Sequence, residues 1–294
     1  IPRPAGRAFF HVNLQCAVLL SVNVEPLSQL KWAYQLHYYI CFQSRWRKDC
    51  FAEQSNAALL SSISEQICEN HGYSLLQQKV YSNHFRCLLS LKPDHRLSQV
   101  LNILKSNASR EFCRAGSLKA PLWETGCLAR SVGSVRVHSV KTYLKNQAEH
   151  HGYSKRVNPP VFRYRSNQPV RLSAHHSVFE LSHHLVFATR YRQGVFNSQV
   201  GSELLNYWLK VAVKRGFAID QTTILPDHVH LLVRNVPKLT IEEVVLSLMN
   251  WMAHNYPRLL IREKCDQLWQ PAAYSGTCGR TTTAQIKAFL GSAL

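Results

Sequence analysis

The sequence contains few acidic residues. It has 17 Asp and Glu against 35 Lys and Arg over 294 residues, a net charge of +18. Such an excess favours a polyanionic partner, and nucleic acid is the commonest one. A basic surface that serves only solubility is the alternative, although +18 is large for that role.

Long apolar runs and paired cysteine motifs are also missing. No apolar run approaches the roughly 20 residues of a membrane helix, so we expect no membrane partner. The short run at 16–22 is expected to be packed N-terminal structure, with a signal peptide as the alternative. The nine cysteines include no C-x-x-C pair and no zinc-type spacing. Cys41, Cys87 and Cys113 lie among apolar residues, as buried thiols do, which favours a reducing cytoplasm.

The same ordered pattern occurs twice in the chain. The first copy contains Phe-Gln-Ser-Arg-Trp-Arg (42–47), Asn-His-Phe-Arg (83–86), Trp123, Gly133 and Val-Lys-Thr-Tyr-Leu (140–144). The second contains Phe-Ala-Thr-Arg-Tyr-Arg (187–192), Asp-His-Val-His (227–230), Trp269, Gly279 and Ile-Lys-Ala-Phe-Leu (286–290). Solenoid units span roughly 20–50 residues, so a much longer period indicates a duplicated domain.

The repeat divides the chain into four segments. We expect an N-terminal extension at 1–29, a first domain at 30–154, a linker at 155–173 and a second domain at 174–294. Three prolines are expected to forbid regular structure in the linker. Its basic residues, interleaved with Phe162 and Tyr164, suit single-stranded nucleic acid, and a solvated tether is the alternative.

The second copy gives the clearer secondary-structure pattern. It predicts a β-rich run at 178–188, a helix at 198–215 that ends at Gly216, and strands at 217–225 and 228–234. Thr240 and Glu243 are expected to form a capping box before a helix at 241–256, and a final helix is expected to begin near 281–283. This order predicts an α+β fold in which helices cover one face of a mostly antiparallel sheet.

Two pairs of residues carry candidate chemistry. His228 and His230 are two apart on a strand, so their rings share one face and can hold one divalent ion. Tyr143 and Gln147 are four apart on a predicted helix, where a tyrosine can attack a phosphodiester and a glutamine oxygen can ligate a hard metal. The alternative for the second pair is an ordinary amphipathic helix with a solvated Gln147.

Together, these ordered blocks resemble the single-tyrosine HUH transposases of bacterial insertion sequences, over about 30–153 and 174–294. The resemblance implies small ferredoxin-like domains that act on single-stranded DNA. It also implies an obligate dimer in which the helix with the tyrosine and glutamine crosses to the partner's histidine pair. Here the intact pairs lie on different copies, so we expect an intramolecular pseudo-dimer, with further oligomerisation possible.

Carried onto this chain, the resemblance makes Tyr143 the nucleophile and His228, His230 and Gln147 the ligands of Mg²⁺ or Mn²⁺. The second site would contain His84, Arg86 and Phe289 and would be degenerate. Phe289 has no hydroxyl, and Arg86 is always cationic and cannot ligate a metal. Arg86 could instead meet a DNA phosphate.

The resemblance implies metal-dependent transesterification through a 5′-phosphotyrosine on the hairpin ends of a mobile element. Further DNA contacts are expected from five basic residues, which are otherwise merely solvated: Arg45, Arg47, Lys141, Arg190 and Arg192. An inactive DNA-hairpin-binding regulator, a replication-type HUH nickase and a basic RNA-binding protein are the alternatives.

Overall fold

Two β-sheets form the framework of the computed structural model, which describes residues 25–115, 121–147, 162–166, 176–255 and 267–292. Most of the predicted N-terminal extension, residues 1–24, lies outside this part of the chain. The first copy contributes these elements: β1 (Lys31–Gln35), β2 (His37–Gln43), α1 (Gln54–Asn70), β3 (Ser74–Tyr81), β4 (His84–Ser90), α2 (Leu97–Arg114), β5 (Leu128–Val132) and α3 (Val137–Lys145).

The remaining elements repeat this order after one additional strand. They are β6 (Phe162–Arg165), β7 (Val178–Glu180), β8 (Ser182–Thr189), α4 (Ser198–Arg215), β9 (Ala218–Ile224), β10 (His228–Arg234), α5 (Ile241–Asn255), β11 (Trp269–Cys278) and α6 (Thr283–Gly291). The predicted α+β pseudo-dimer of two duplicated units is confirmed. None of the helices described has the length and apolar character of a membrane span.

The two copies exchange their first strands. The first sheet has the order β3-β4-β2-β5-β7, and the second has the order β1-β11-β8-β10-β9-β6. The exchanged strands pair in parallel at the junction, β1 with β11 and β7 with β5, whereas the other strand pairs are antiparallel. The predicted β-rich run at 178–188 is confirmed, and the structure divides it at the buried Leu181 into two strands of different sheets.

The expectation of a linker without regular structure is wrong at Phe162–Arg165. These residues form β6, which pairs antiparallel with β9 at the edge of the second sheet. Phe162 and Tyr164 are half-buried, whereas Arg163 and Arg165 are exposed, which is the period-two pattern of an edge strand. The prolines flank this segment and do not interrupt it, so its ladder hydrogen bonds can form.

One face of each sheet packs against the two long helices of its own copy. In the second sheet, Val229 and Leu231 face a core that includes Trp208 and Leu248. The predicted helix ends are confirmed: Gly216 has a left-handed φ of +83°, and Thr240 and Glu243 exchange hydrogen bonds of 2.8 and 3.0 Å. The alternate residues of the same strands therefore point to the opposite face.

The opposite face of each sheet is covered by the last helix of the other copy. In the second sheet, Val140 and Leu144 of α3 pack against Leu232 and Cys278. In the first sheet, α6 brings Leu290 against a cluster that contains Tyr39, Leu88 and Val132. The helices thus cross between copies, as the resemblance implies.

Two glycines and two hydroxyls allow this crossing. A Cβ at Gly133 would lie 1.8 Å from the Thr277 carbonyl oxygen, and one at Gly279 would lie 2.1 Å from that of Ser131. The Ser131 hydroxyl lies 2.6 Å from the Cys278 carbonyl oxygen, and the Thr277 hydroxyl lies 2.6 Å from that of Val132. The repeated glycine therefore marks the point where the backbones of the two copies pass too close to each other for a side chain to fit.

Candidate active site

Helix α3 is fixed to the second sheet by polar contacts to its backbone. The Thr223 hydroxyl donates a 2.7 Å hydrogen bond to the Leu144 carbonyl, and the Gln221 amide donates one of 3.1 Å to the Lys141 carbonyl. Both donors lie on β9, next to the strand that carries His228 and His230. These bonds set the position of the helix from one copy over the sheet of the other.

Tyr143 lies beside His230 as a result. Their ring centroids are 5.6 Å apart at an interplanar angle of 78°, so the two rings meet edge to face. Tyr143 is half-buried, whereas His228 and His230 are buried on the sheet face. The structure therefore brings together a phenol and an imidazole that are 87 positions apart in the sequence, one from each copy.

His228 is held by an adjacent carboxylate. Its Nδ1 lies 2.6 Å from Oδ1 of Asp227, and the other oxygen of Asp227 accepts a 2.9 Å bond from Nε of Arg192. A carboxylate that accepts the Nδ1 proton fixes the tautomer and the ring orientation of an imidazole. Nε2 is then the atom through which His228 would coordinate a cation.

His184 was missed by sequence reasoning. Its Nε2 lies 3.2 Å from Nδ1 of His230, and the two rings stack with centroids 5.4 Å apart. It also meets Tyr143 edge to face at 5.9 Å. Burial lowers the pKa of His184 to about 4, so its imidazole is neutral near pH 7 and can accept a hydrogen bond from Nδ1 of His230. The only signal in the sequence was its alternation with the buried Leu185 and Phe187, which places His184 on the face of β8 away from the core.

Gln147 lies two residues beyond the end of α3. Its side chain is fully buried and its amide nitrogen donates a 3.3 Å hydrogen bond to the Tyr143 carbonyl. The alternative of a solvated Gln147 is therefore wrong. Within the described residues no three His, Cys, Asp or Glu side chains form a metal-binding group. The role of Gln147 as a third ligand, through its amide oxygen, stays a prediction.

The pseudo-symmetric half-site has the same layout with different side chains. The guanidinium carbon of Arg86 lies 5.1 Å from the centre of the Phe289 ring and 4.8 Å from that of Tyr81. Nδ1 of His84 lies 2.8 Å from Oδ1 of Asn83. Arg86 and Phe289 thus meet where His230 and Tyr143 meet in the other half, so the position equivalent to Tyr143 has no hydroxyl and the position equivalent to His230 has no imidazole.

An arginine-flanked aromatic residue follows the second strand of each copy. Trp46 and Tyr191 have left-handed φ angles of +56° and +54°, and 61% and 72% of their respective surfaces are exposed. The arginine before each ring lies over it, with Arg45 at 4.4 Å and Arg190 at 5.0 Å from the ring centre. A strained backbone that holds a large ring in solvent is typical of functional sites.

A sequence comparison places both copies in one family. The family model described as "Transposase IS200 like" matches residues 32–147 and 177–292. A curated relative, the ISDra2 transposase TnpA of Deinococcus radiodurans, is 29% identical over 119 residues, which are 39% of this chain and 85% of that protein.

Two solved structures are also similar. One is a protein assigned as a transposase in Deinococcus radiodurans R1, with 23% identity and a TM-score of 0.33, covering 39% of this chain and 92% of that one. The other is a REP-associated tyrosine transposase bound to a REP hairpin, with 16% identity and a TM-score of 0.28, covering 41% and 70%. Because the family match extends over most of the sequence, in two tandem copies, the chain belongs to the IS200-like transposase family.

Proposed function

We propose that this transposase cleaves and rejoins single-stranded DNA at one composite active site. Tyr143 of the first copy supplies the nucleophile, and His228 and His230 of the second supply the imidazoles. The observation that carries the proposal is the 5.6 Å approach of the Tyr143 and His230 rings across the copies. In the half-site that contains Phe289, the position equivalent to Tyr143 has no hydroxyl that could perform the same attack.

The reaction is a transesterification. The Tyr143 oxygen forms a bond to phosphorus and loses its proton, while the bond from phosphorus to the 3′-oxygen breaks and that oxygen gains a proton. The products are a 5′-phosphotyrosine and a free 3′-hydroxyl. Attack of a 3′-hydroxyl on the phosphotyrosine reverses the step and releases Tyr143, so that neither direction needs an external energy source.

His228, His230 and Gln147 would hold Mg²⁺ or Mn²⁺. When bound, the ion would stabilise the charge that develops on the scissile phosphate. Asp227 supports this arrangement by fixing Nδ1 of His228, and His184 does so by facing Nδ1 of His230. Asp227 and His184 thus orient the two imidazoles before DNA enters.

Basic residues around the site would bind the DNA backbone. The candidates are Lys141 on α3 and the arginines that flank the two exposed rings: Arg45, Arg47, Arg190 and Arg192. Exposed aromatic rings stack on unpaired bases, and neighbouring cations contact phosphates. Arg192 also forms an ion pair with Asp227, the carboxylate that contacts His228. The segment Arg190–Arg192 therefore lies next to the proposed active site.

The natural substrate would be the hairpin ends of the protein's own mobile element. A single live site favours sequential cleavages, or a role limited to nicking and rejoining. An inactive DNA-hairpin regulator is the second candidate, which the loss of the nucleophile at Phe289 favours. The two candidates differ in one product, a covalent link between protein and DNA.

A covalent-trapping assay separates the candidates. The protein is incubated with Mn²⁺ and labelled single-stranded DNA from its element ends, then resolved on a denaturing gel. We expect a metal-dependent adduct that disappears in Tyr143→Phe and His228→Ala. Tyr207→Phe is the matched control, because α4 packs on the opposite face of the sheet. The absence of an adduct with any end sequence would favour the regulator.

A further inference from the structure

The half-site that contains Phe289 carries an arginine whose charge has no carboxylate partner among the described residues. Arg86 is half-buried, and none of the ion pairs among the described residues involves it. Its Nε atom and the Nε2 atom of His84 are buried and have no hydrogen-bond partner in the same part of the chain. Buried polar groups of this kind are normally satisfied, so these two atoms call for a ligand.

The surroundings of Arg86 hold its guanidinium in place. Tyr81 from β3 and Phe289 from α6 contact it at 4.8 and 5.1 Å, and the Tyr81 ring stacks on His84 at 4.3 Å. Burial and the charge of Arg86 together lower the pKa of His84, which keeps that imidazole neutral. A fixed guanidinium needs little further ordering when it binds a planar or tetrahedral anion.

The positive charge of the half-site extends beyond Arg86. Nζ of Lys79 lies 5.3 Å from the centre of the Tyr81 ring and donates a hydrogen bond to the Ser292 carbonyl. Lys79 therefore joins β3 to the end of α6, beside Arg86, and no described ion pair involves it either. Arg86 and Lys79 thus provide two cations without acidic partners, next to the aromatic rings of Tyr81 and Phe289. Such a combination suits a nucleotide, whose phosphate would contact the cations and whose base would contact a ring.

We propose that this half-site, formed by Tyr81, His84, Arg86 and Phe289, binds a phosphate of single-stranded DNA without a metal ion and without cleaving it. The proposal rests on the proposed action on single-stranded DNA. Arg86 places a permanent positive charge where the other half-site would hold a cation. Phe289 occupies the position of the nucleophile and offers only a ring face. The degenerate half would thus hold one DNA segment while Tyr143 cuts another.

The test is DNA binding in the presence of EDTA. The affinity of the full chain for a fluorescein-labelled single-stranded (dT)20 oligonucleotide is measured by anisotropy over a salt series. We expect Arg86→Gln to raise Kd by about tenfold and to reduce the slope of log Kd against log salt by about 0.7, the loss of one phosphate contact. Arg86→Lys keeps the charge and is expected to keep the slope.

The matched control is Arg215→Gln, an exposed arginine in the last turn of α4. Thermal unfolding of each variant establishes that it is folded. Equal slopes for the wild type and Arg86→Gln, or an equal loss in Arg215→Gln, would overturn the proposal. So would a folded Arg86→Lys that binds no better than Arg86→Gln.

The trapping assay makes the two proposals separable. If Arg86→Gln weakens DNA binding but the wild type forms no Tyr143 adduct, the composite active site is refuted and the phosphate site at Arg86 stands. If the wild type forms the adduct but Arg86→Gln binds DNA as tightly as the wild type, only the phosphate site at Arg86 is refuted.

Discussion

The phenol oxygen of Tyr38 lies 2.9 Å from Nε2 of His183, and both residues are buried where the two sheets meet. They are 145 positions apart, which is the repeat offset, so they occupy equivalent positions in the two copies. Equivalent residues contact each other only near the axis that relates the copies. This hydrogen bond therefore marks the pseudo-twofold axis and joins the halves through a titratable group.

The stability of the joined copies is expected to depend on pH through His183. Burial lowers the pKa of His183 from its ordinary value of 6.5 to about 3. The unfolded chain therefore binds a proton that the folded chain does not. The stabilisation is complete above pH 6.5 and is lost as the pH falls toward 3, by at most about 1.4 kcal/mol per pH unit.

Urea unfolding at pH 7.5 and pH 5 measures this effect. His183→Gln keeps a partner for Tyr38 but does not titrate, so we expect it to lose less stability between the two values than the wild type. His138→Gln, at an exposed position on α3, is the control. The same pH dependence in His183→Gln and the wild type would contradict the assignment.

The crossing of the chains is expected to tolerate no side chain at Gly133. An alanine Cβ would lie 1.8 Å from the Thr277 carbonyl oxygen, so Gly133→Ala must separate the two strands. We expect a loss of about 3 kcal/mol in the free energy of unfolding. Gly194→Ala is the control, because its Cβ would meet only the Pro226 side chain at 3.4 Å. Similar unfolding midpoints for the two variants would show that the crossing is not tight.

Part of this architecture was readable from the sequence and part was not. The repeat and the family resemblance predicted two crossed copies, and the complementary losses at Arg86 and Phe289 agreed with this, because crossing places both losses in one half-site. The exchange of β1 and β7 was not predictable. Both strands are only three to five residues long, and their composition fits either sheet equally well.

The site shows the same limit. A spacing of two on a strand placed His228 and His230 on one face, since that depends only on local geometry. His184 required knowledge of which strand lies next to β10, and this is a tertiary fact. The complete burial of Gln147 likewise could not be inferred from the periodicity of its own segment.

Asp227 is expected to act as a positioning residue for His228. Asp227→Asn keeps an acceptor beside Nδ1, as Asn83 does for His84, but removes the negative charge and the ion pair with Arg192. We expect Mn²⁺ affinity, measured by electron paramagnetic resonance, to fall by about 10- to 100-fold. Asp94→Asn makes the same charge change at an exposed loop position and should have no effect. Unchanged Mn²⁺ affinity in Asp227→Asn would rule out the positioning role.

The turn at Arg190 and Tyr191 is expected to contribute two separable terms to DNA binding. Tyr191→Ala removes a stacking surface and should raise Kd for single-stranded DNA by about tenfold with the salt slope unchanged. Arg190→Glu with Arg192→Glu should weaken binding and reduce the salt slope. Val213→Ala, another exposed apolar position, is the control for Tyr191. Binding that is unaffected by these changes would remove the turn from the DNA footprint.

A mixing experiment tests whether the composite site lies within one chain. Helix α3 is held on β9 of its own chain by the Thr223 and Gln221 hydrogen bonds, so Tyr143 of one chain cannot readily reach His228 of another. We therefore expect a mixture of Tyr143→Phe and His228→Ala chains to form no covalent DNA adduct. Wild type diluted with Tyr143→Phe, the control, should give adduct in proportion to the wild-type fraction. Adduct in the mixture of the two inactive chains would mean that α3 leaves its own sheet and that the active species is an exchanged pair of chains.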